Sequence, residues 1–217
     1  MSTAILFFSR RATAPAYGTD AARARRIGAA LERRTLRTLR ATGLPVLHYG
    51  AERQRGTTFG ERLTHATREV FAAGYSGVLI VGNDCPTLRP QDLRAAARHL
   101  ENGRPVLGPD RRGGAYLIGC SRERFTPADF LAIDWESPRV YAGLRALFGP
   151  ATIRLGERAD YNFVGELRAA WRTLRHLLRG LGEVLFGTAI PGTTYGFSLA
   201  RKYRRAVVLR GPPAVMA

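Results

Sequence analysis

Val78-Leu79-Ile80-Val81-Gly82-Asn83-Asp84-Cys85-Pro86 decides how this chain is read. Four consecutive apolar residues, three of them β-branched, describe a short strand buried on both faces, as in a parallel sheet covered by helices. Gly82 ends the run and Pro86 fixes a turn just beyond it, which leaves Asp84 at the carboxyl end of the strand. Ligands of open α/β sheets bind beyond those carboxyl ends. A carboxylate there suits a hard divalent ion that bridges diphosphate oxygens. It equally suits capping of the turn, and this stretch alone leaves both readings open.

Working outward, Ala4-Ile5-Leu6-Phe7-Phe8 is a second continuous apolar run, and Ser9 leads it into a loop. A helix is expected from about Asp20 to Ala41, with Ile27, Leu31, Leu36 and Leu39 as its apolar residues. Gly43-Leu44-Pro45 stops it before a strand at Val46-Leu47-His48-Tyr49. Residues 57–73 read as a helix with Thr57 or Thr58 as cap. Pro90 opens another, running to about Glu101. Strands at 105–108 and 115–119 flank a turn, Asp110-Arg111-Arg112-Gly113-Gly114. Ser137-Pro138 opens a helix to about Phe148, residues 152–155 form a last strand, and Asn162 would cap a long terminal helix. The alternation predicts an α/β fold, a three-layer, mainly parallel sheet with a C-terminal amphipathic helix and tail. The division expected is a domain over 1–162 and a basic amphipathic helix with tail over 163–217.

Composition bounds the function classes. The chain has 217 residues and a net charge of +17, but Lys202 is its single lysine, and the excess sits at the two ends. Residues 61–160 carry fourteen arginines against twelve acids. With no aromatic-interleaved basic stripe and no helix-turn-helix element, a nucleic-acid partner is disfavoured. Cys85 and Cys120 lack CxxC spacing and no apolar leader opens the sequence, so a reducing cytoplasm is expected. Cys85 has no histidine in a partner pattern and reads as a structural thiol. The four histidines show no zinc spacing.

Several ordered motifs carry a resemblance. Thr58-Phe59-Gly60-Glu61-Arg62-Leu63, Gly74-Tyr75, the run from Val78 to Leu88, Leu107-Gly108-Pro109, Gly113-Gly114-Ala115-Tyr116-Leu117-Ile118-Gly119, Trp135-Glu136-Ser137-Pro138-Arg139-Val140 and Asp160-Tyr161-Asn162 follow one another over roughly residues 4–170. This order resembles the small bacterial GT-A-like family, formerly of unknown function, labelled arsenosugar-biosynthesis-type glycosyltransferase. More distantly it is similar to the cofactor guanylyltransferases of the nucleotide-diphospho-sugar transferase superfamily. Two positions depart from the family: the loop from Ser9 to Asp20 lacks a Lys-Thr-Arg-Leu run, and Arg112 stands where an acidic residue commonly precedes the glycine pair.

The resemblance implies Mg or Mn as cofactor, with Asp84 at the metal and diphosphate, Asn83 beside it, and Asp160 and Asn162 as further metal-site groups. Arg62 would chelate phosphate oxygens or else pair with Glu61 or Glu69. Ser9 and Arg10 would contact the nucleotide, or merely open a solvated loop. Gly113 and Gly114 would let backbone approach a ligand, or serve a tight hairpin. Tyr116 and Trp135 would line an acceptor pocket, or belong to the core. Asp134, Glu136 and Asp110 are unranked candidates for a general base.

The expected activity is transfer of a glycosyl group from a nucleoside-diphosphate sugar to an unidentified acceptor. The rivals are a nucleotidyltransferase acting on a phosphorylated acceptor and a non-catalytic binding protein on the same fold. Leu167, Trp171, Leu174, Leu178, Leu181 and Leu185 form a 4-3-4-3-4 stripe, with Arg168, Arg172, Arg175 and Arg179 parallel to it. That stripe would pack on the sheet or on a second subunit, as in a homodimer. Alternatively, residues 163–200 would lie on an anionic membrane surface.

Overall fold

The computed structural model describes residues 2–9 and 17–187. Six strands, β1 (Thr3–Phe8), β2 (Val46–Tyr49), β3 (Gly77–Val81), β4 (Val106–Pro109), β5 (Ala115–Ser121) and β6 (Ile153–Arg154), join in one sheet of order β2-β1-β3-β5-β4-β6. β1 is parallel to β2 and β3, and β4 is parallel to β6; β5 alone runs against its neighbours. The helices are α1 (Ala21–Arg40), α2 (Phe59–Ala72), α3 (Pro90–Glu101), α4 (Pro127–Leu131), α5 (Val140–Phe148), α6 (Val164–Ala169), α7 (Trp171–Leu174) and α8 (Gly182–Phe186). This is the three-layer, mainly parallel α/β sheet that the sequence implies.

The continuous apolar strands work as expected. Because side chains alternate across a strand, Ala4, Leu6 and Phe8 of β1 enter one core with Val78, Ile80 and the buried residues of α2 and α5. Ile5 and Phe7 enter the opposite core with Leu79, Val81, α3 and Leu39 of α1. Helix starts follow their caps. The Asp20 side chain accepts from Arg23 N (2.8 Å), and Thr58 and Glu61 form a capping box at α2. Pro90 occupies the first turn of α3.

The terminal region differs from the single long helix expected. Residues 163–187 form three short helices, and Gly180, at φ +81°, takes a left-handed conformation that most residues avoid. It lets the chain turn back, so that Gly182 lies under the Trp171 ring, with no room for a Cβ without the ring shifting (3.0 Å). The stripe leucines Leu167, Leu174, Leu178, Leu181 and Leu185 are all buried against Ile27, Ala30 and Leu31 on the outer side of α1. The stripe therefore covers α1, not the sheet, a second subunit or lipid. The parallel arginines Arg168, Arg172, Arg175 and Arg179 are exposed. This corrects the membrane reading for residues 163–187; residues 188–200 lie outside the described residues. Among the described residues no helix is long and apolar enough to cross a membrane. Nor is Asn162 the cap of α6: Glu166 reaches back to accept from Asn162 N (2.8 Å) and Phe163 N (3.1 Å).

Because Leu174 is fully enclosed, Leu174→Ala should lower stability by about 2–5 kcal/mol. The measurement is a urea titration, in which the midpoint falls while the slope stays that of the parent protein.

Candidate functional site

The chain leaves β3 through Gly82 into a turn that buries Asn83 and Cys85 and brings Asp84 to the sheet's edge. A Cβ on Gly82 would come within 2.9 Å of Asp84 Oδ1, so the glycine leaves room for that carboxylate as it stands. The Asp84 carbonyl accepts from Tyr161 N (2.9 Å), which clamps residues 160–161 against the turn although they lie far along the chain. Burial, with the charges of Asp160 and Asp84, pushes the Cys85 thiol up to about 12. An inert, protonated thiol results, in keeping with a structural role.

A third carboxylate comes from the β4–β5 hairpin. Asp110 N donates to Gly114 O (3.0 Å), and Asp110 Oδ1 accepts from Arg112 N (2.6 Å) and Gly114 N (2.8 Å). The glycine pair answers to this hairpin. A Cβ on Gly114 would lie 2.4 Å from Asp110 Oδ2, and one on Gly113, at φ +86°, would lie 2.0 Å from the Pro138 carbonyl. The close approach that these glycines permit is thus to the protein's own chain.

Asp160 is where the groups meet. Burial first, then the charges of Asp84 and Asp110, raise its carboxyl to about 9, with Arg112 offsetting part of the effect. Its Oδ1 is buried and has no hydrogen-bond partner. Arg112 closes the arrangement: Nη2 donates to Asp160 O (3.0 Å) and Nη1 to Glu166 Oε1 (2.9 Å). Among the described residues no three His, Cys, Asp or Glu side chains are placed to hold a metal ion by themselves. Magnesium-type sites, however, commonly use one or two carboxylates and complete their shell with water and substrate phosphates. An orphaned buried carboxylate oxygen with a second carboxylate beside it fits that pattern.

The other expected site residues fall elsewhere. Ser9 is buried, its Oγ 2.7 Å from His48 Nε2 and its carbonyl accepting from Gln54 Nε2 (2.9 Å). Its polar groups are thus engaged within the protein; Arg10 lies outside the described residues. Arg62 donates to the Thr57 carbonyl of its own helix start (2.8 Å), and its charge also acts on the Glu61 carboxylate. Tyr116 is a core brace rather than a sugar platform: its ring is buried against Gly108, and its hydroxyl donates to Gly156 O (2.9 Å). Trp135 likewise belongs to an aromatic cluster, 5.5 Å from Phe59 and 5.0 Å from Phe130, with Nε1 donating to Phe130 O (2.9 Å). Asp134 is held by Arg139, whose hydrogen bonds keep its carboxyl below the usual range. Glu136 sits exposed on the same loop at φ +64°. Asn162 is exposed, its backbone tied to Glu166. A separate groove of about 290 Å³ along α2, lined by Arg55, Glu61, His65, Arg68 and Leu131, shares no residue with the carboxylate cluster.

Of the expected residues, the structure therefore unites Asp84, Asp110 and Asp160. It adds Arg112 and Glu166, which sequence reasoning missed. The available signal was a hairpin whose Asp110 and Arg112 stand two apart ahead of a glycine pair, which places both at one tip.

The fold is that of the nucleotide-diphospho-sugar transferases, as the likeness to a solved structure shows. The chain is similar to the "putative nucleotide-diphospho-sugar transferase" of Desulfovibrio desulfuricans G20, at 23% identity and TM-score 0.70, over 85% of this chain and 97% of that one. Looser likenesses, both at TM-score 0.44, are to Rv0371c of Mycobacterium tuberculosis H37Rv (15% identity, 82% and 98% coverage) and to CMP:2-keto-3-deoxy-manno-octonic acid synthetase complexed with CTP (10%, 81% and 99%). By sequence the chain belongs to the family described as uncharacterized protein conserved in bacteria (DUF2064), whose model matches residues 26–137. No curated protein matches it in sequence.

Since folding raises the Asp160 carboxyl from 3.8 to about 9, the folded state holds a proton that the unfolded state releases across that window. The stability that Asp160 contributes in the metal-free protein is therefore fully present below about 4 and is lost as pH rises toward 9. Asp160→Asn removes the titration, so its melting temperature should exceed that of the parent by a margin that grows from pH 5 to pH 9. A margin independent of pH would contradict the assigned crowding.

Proposed function

We propose that this protein is a divalent-metal-dependent transferase that binds a nucleoside-diphosphate sugar and passes the glycosyl group to an acceptor. The observation that carries the reading is the buried Asp160 carboxylate, orphaned at Oδ1 and set against Asp84 and Asp110 beyond the end of β3. Such crowding opposes folding unless a cation relieves it, which makes it a mark of function rather than of stability. Asp84 and Asp160 would hold Mg or Mn, which, when bound, neutralises charge growing on the leaving diphosphate.

The protein's own residues would do the rest. The bond between the sugar's anomeric carbon and the diphosphate oxygen breaks while one to an acceptor oxygen forms, and the acceptor proton must leave. Of the three candidate bases, Asp110 stands beside Asp160 and is fixed by two backbone N–H groups through Oδ1. We assign it that proton. Asp134 is committed to Arg139. Asn83, buried at the turn, would hold the loop's shape rather than touch substrate.

The test is binding and product analysis together. Calorimetry should show nucleoside diphosphate binding that requires manganese or magnesium and weakens at least tenfold in Asp84→Asn. Nucleotide sugars should yield free nucleoside diphosphate. Pyrophosphate release from a nucleoside triphosphate and a sugar phosphate would instead favour nucleotidyl transfer, and equal metal-dependent affinity in both proteins would remove Asp84 from the site.

A further inference from the structure

Arg112 is placed unusually for an arginine at a cluster of carboxylates. Its backbone is fixed, because its N–H is bound by Asp110 Oδ1 at 2.6 Å within the hairpin. Its guanidinium reaches Asp160 O at 3.0 Å, directly beside the orphaned carboxylate. Yet the side chain is 42% exposed, and its ion-pair partner Glu166 is 36% exposed. A guanidinium offers five donors, whereas the two contacts seen here occupy one on each terminal nitrogen. A solvent-exposed ion pair of this kind contributes only about 0–1 kcal/mol, so a stronger anion can displace it at little cost. Arg158, which also lies beside the turn, is not available in this way. It is 20% exposed and bound to Asp92 Oδ2 (2.7 Å) and to Thr87 O (2.9 Å).

Charge adds a second line. An incoming diphosphate meets three carboxylates, and one divalent ion does not offset all of them. A cation held on the solvent side of the cluster would supply what is missing, and a planar guanidinium can chelate two phosphate oxygens at once.

We propose that Arg112 is the diphosphate-binding residue of this site, resting on Glu166 in the free protein and turning from it to the phosphate oxygens when a nucleoside diphosphate binds. The inference rests on the transferase reading and gives to Arg112 the phosphate contact that the sequence had suggested for Arg62. Glu166 is then a parking partner. It keeps its second task of accepting from Asn162 N and Phe163 N, so the segment after Asp160 stays in place when the arginine leaves.

Calorimetry on the full chain separates this from a structural clasp, using manganese alone and then uridine or guanosine diphosphate at saturating manganese. Arg112→Ala should bind manganese at least as tightly as the parent, since a neighbouring positive charge is gone, and should bind diphosphate at least tenfold more weakly. Glu166→Gln keeps a carbonyl oxygen for the two backbone N–H groups and frees the guanidinium, so its diphosphate affinity should equal or exceed that of the parent. Thermal melting confirms that each variant is folded. Were the pair only a structural clasp, both variants would lose affinity together, and that result overturns the proposal, as does unchanged diphosphate affinity in Arg112→Ala. A parent protein that binds diphosphate with no dependence on metal, while Arg112→Ala is weakened, would spare this proposal and sink the metal reading. A parent that binds no diphosphate under any condition sinks both.

Discussion

Holding three carboxylates together at the edge of a buried sheet is unfavourable, and the rest of the molecule is arranged to enforce it. Asp160 is drawn in by the bond from Tyr161 N to the Asp84 carbonyl, at 2.9 Å, and is held from outside by Arg112 on its own carbonyl. Asp110 cannot withdraw, because two hairpin N–H groups fix its Oδ1. Backbone hydrogen bonds to three separated parts of the chain thus impose a proximity that the side chains would refuse. The strain is local, and it appears as a carboxyl shifted to about 9 and an acceptor atom with no donor.

The platform that bears this load is the sheet, filled on both faces. β3 is buried along its whole length, so the turn that follows it starts from a rigid base. β5, running against its neighbours, brings the β4–β5 hairpin back to the Asp160 segment. On the far side, α1 is buried twice, with Leu39 in a core below the sheet and Ile27 and Leu31 beneath the C-terminal helices. The segment that carries Asp160 continues directly into those helices. Their packing on α1 is therefore part of what positions the site.

Much of this could be read in the sequence, for identifiable reasons. Continuous apolar runs such as 4–8 and 78–81 have one stable destination, a strand covered on both faces, and Asp20, Thr58 and Pro90 mark helix starts through local bonds that need no tertiary context. Asp84 stood out because a strand-end carboxylate is a local pattern. Its pairing with Asp160 is not local, and it was suggested by resemblance rather than by spacing. The leucines from 167 to 185 have the same periodicity whether the helix runs on or folds back, and the breaks at Ala170 and over 175–181, with Gly180 left-handed, are not written in that periodicity. Tyr116 and Trp135 show the converse limit: an aromatic residue is core or platform according to what faces it, which its neighbours in sequence do not specify. Arg112 was legible only as a departure from the family, since its meaning depends on a hairpin tip meeting residues 160–166.

The central claim is that Asp84 and Asp160 form a cation site completed by a substrate diphosphate. Diffraction at the manganese absorption edge, from crystals grown with manganese and a nucleoside diphosphate, tests it most directly. The account predicts a single strong anomalous peak beyond the end of β3, at metal–oxygen distances of about 2.0–2.3 Å from both carboxylates and from diphosphate oxygens. A peak away from Asp84 and Asp160, or bound nucleotide with no metal between it and these residues, would contradict it.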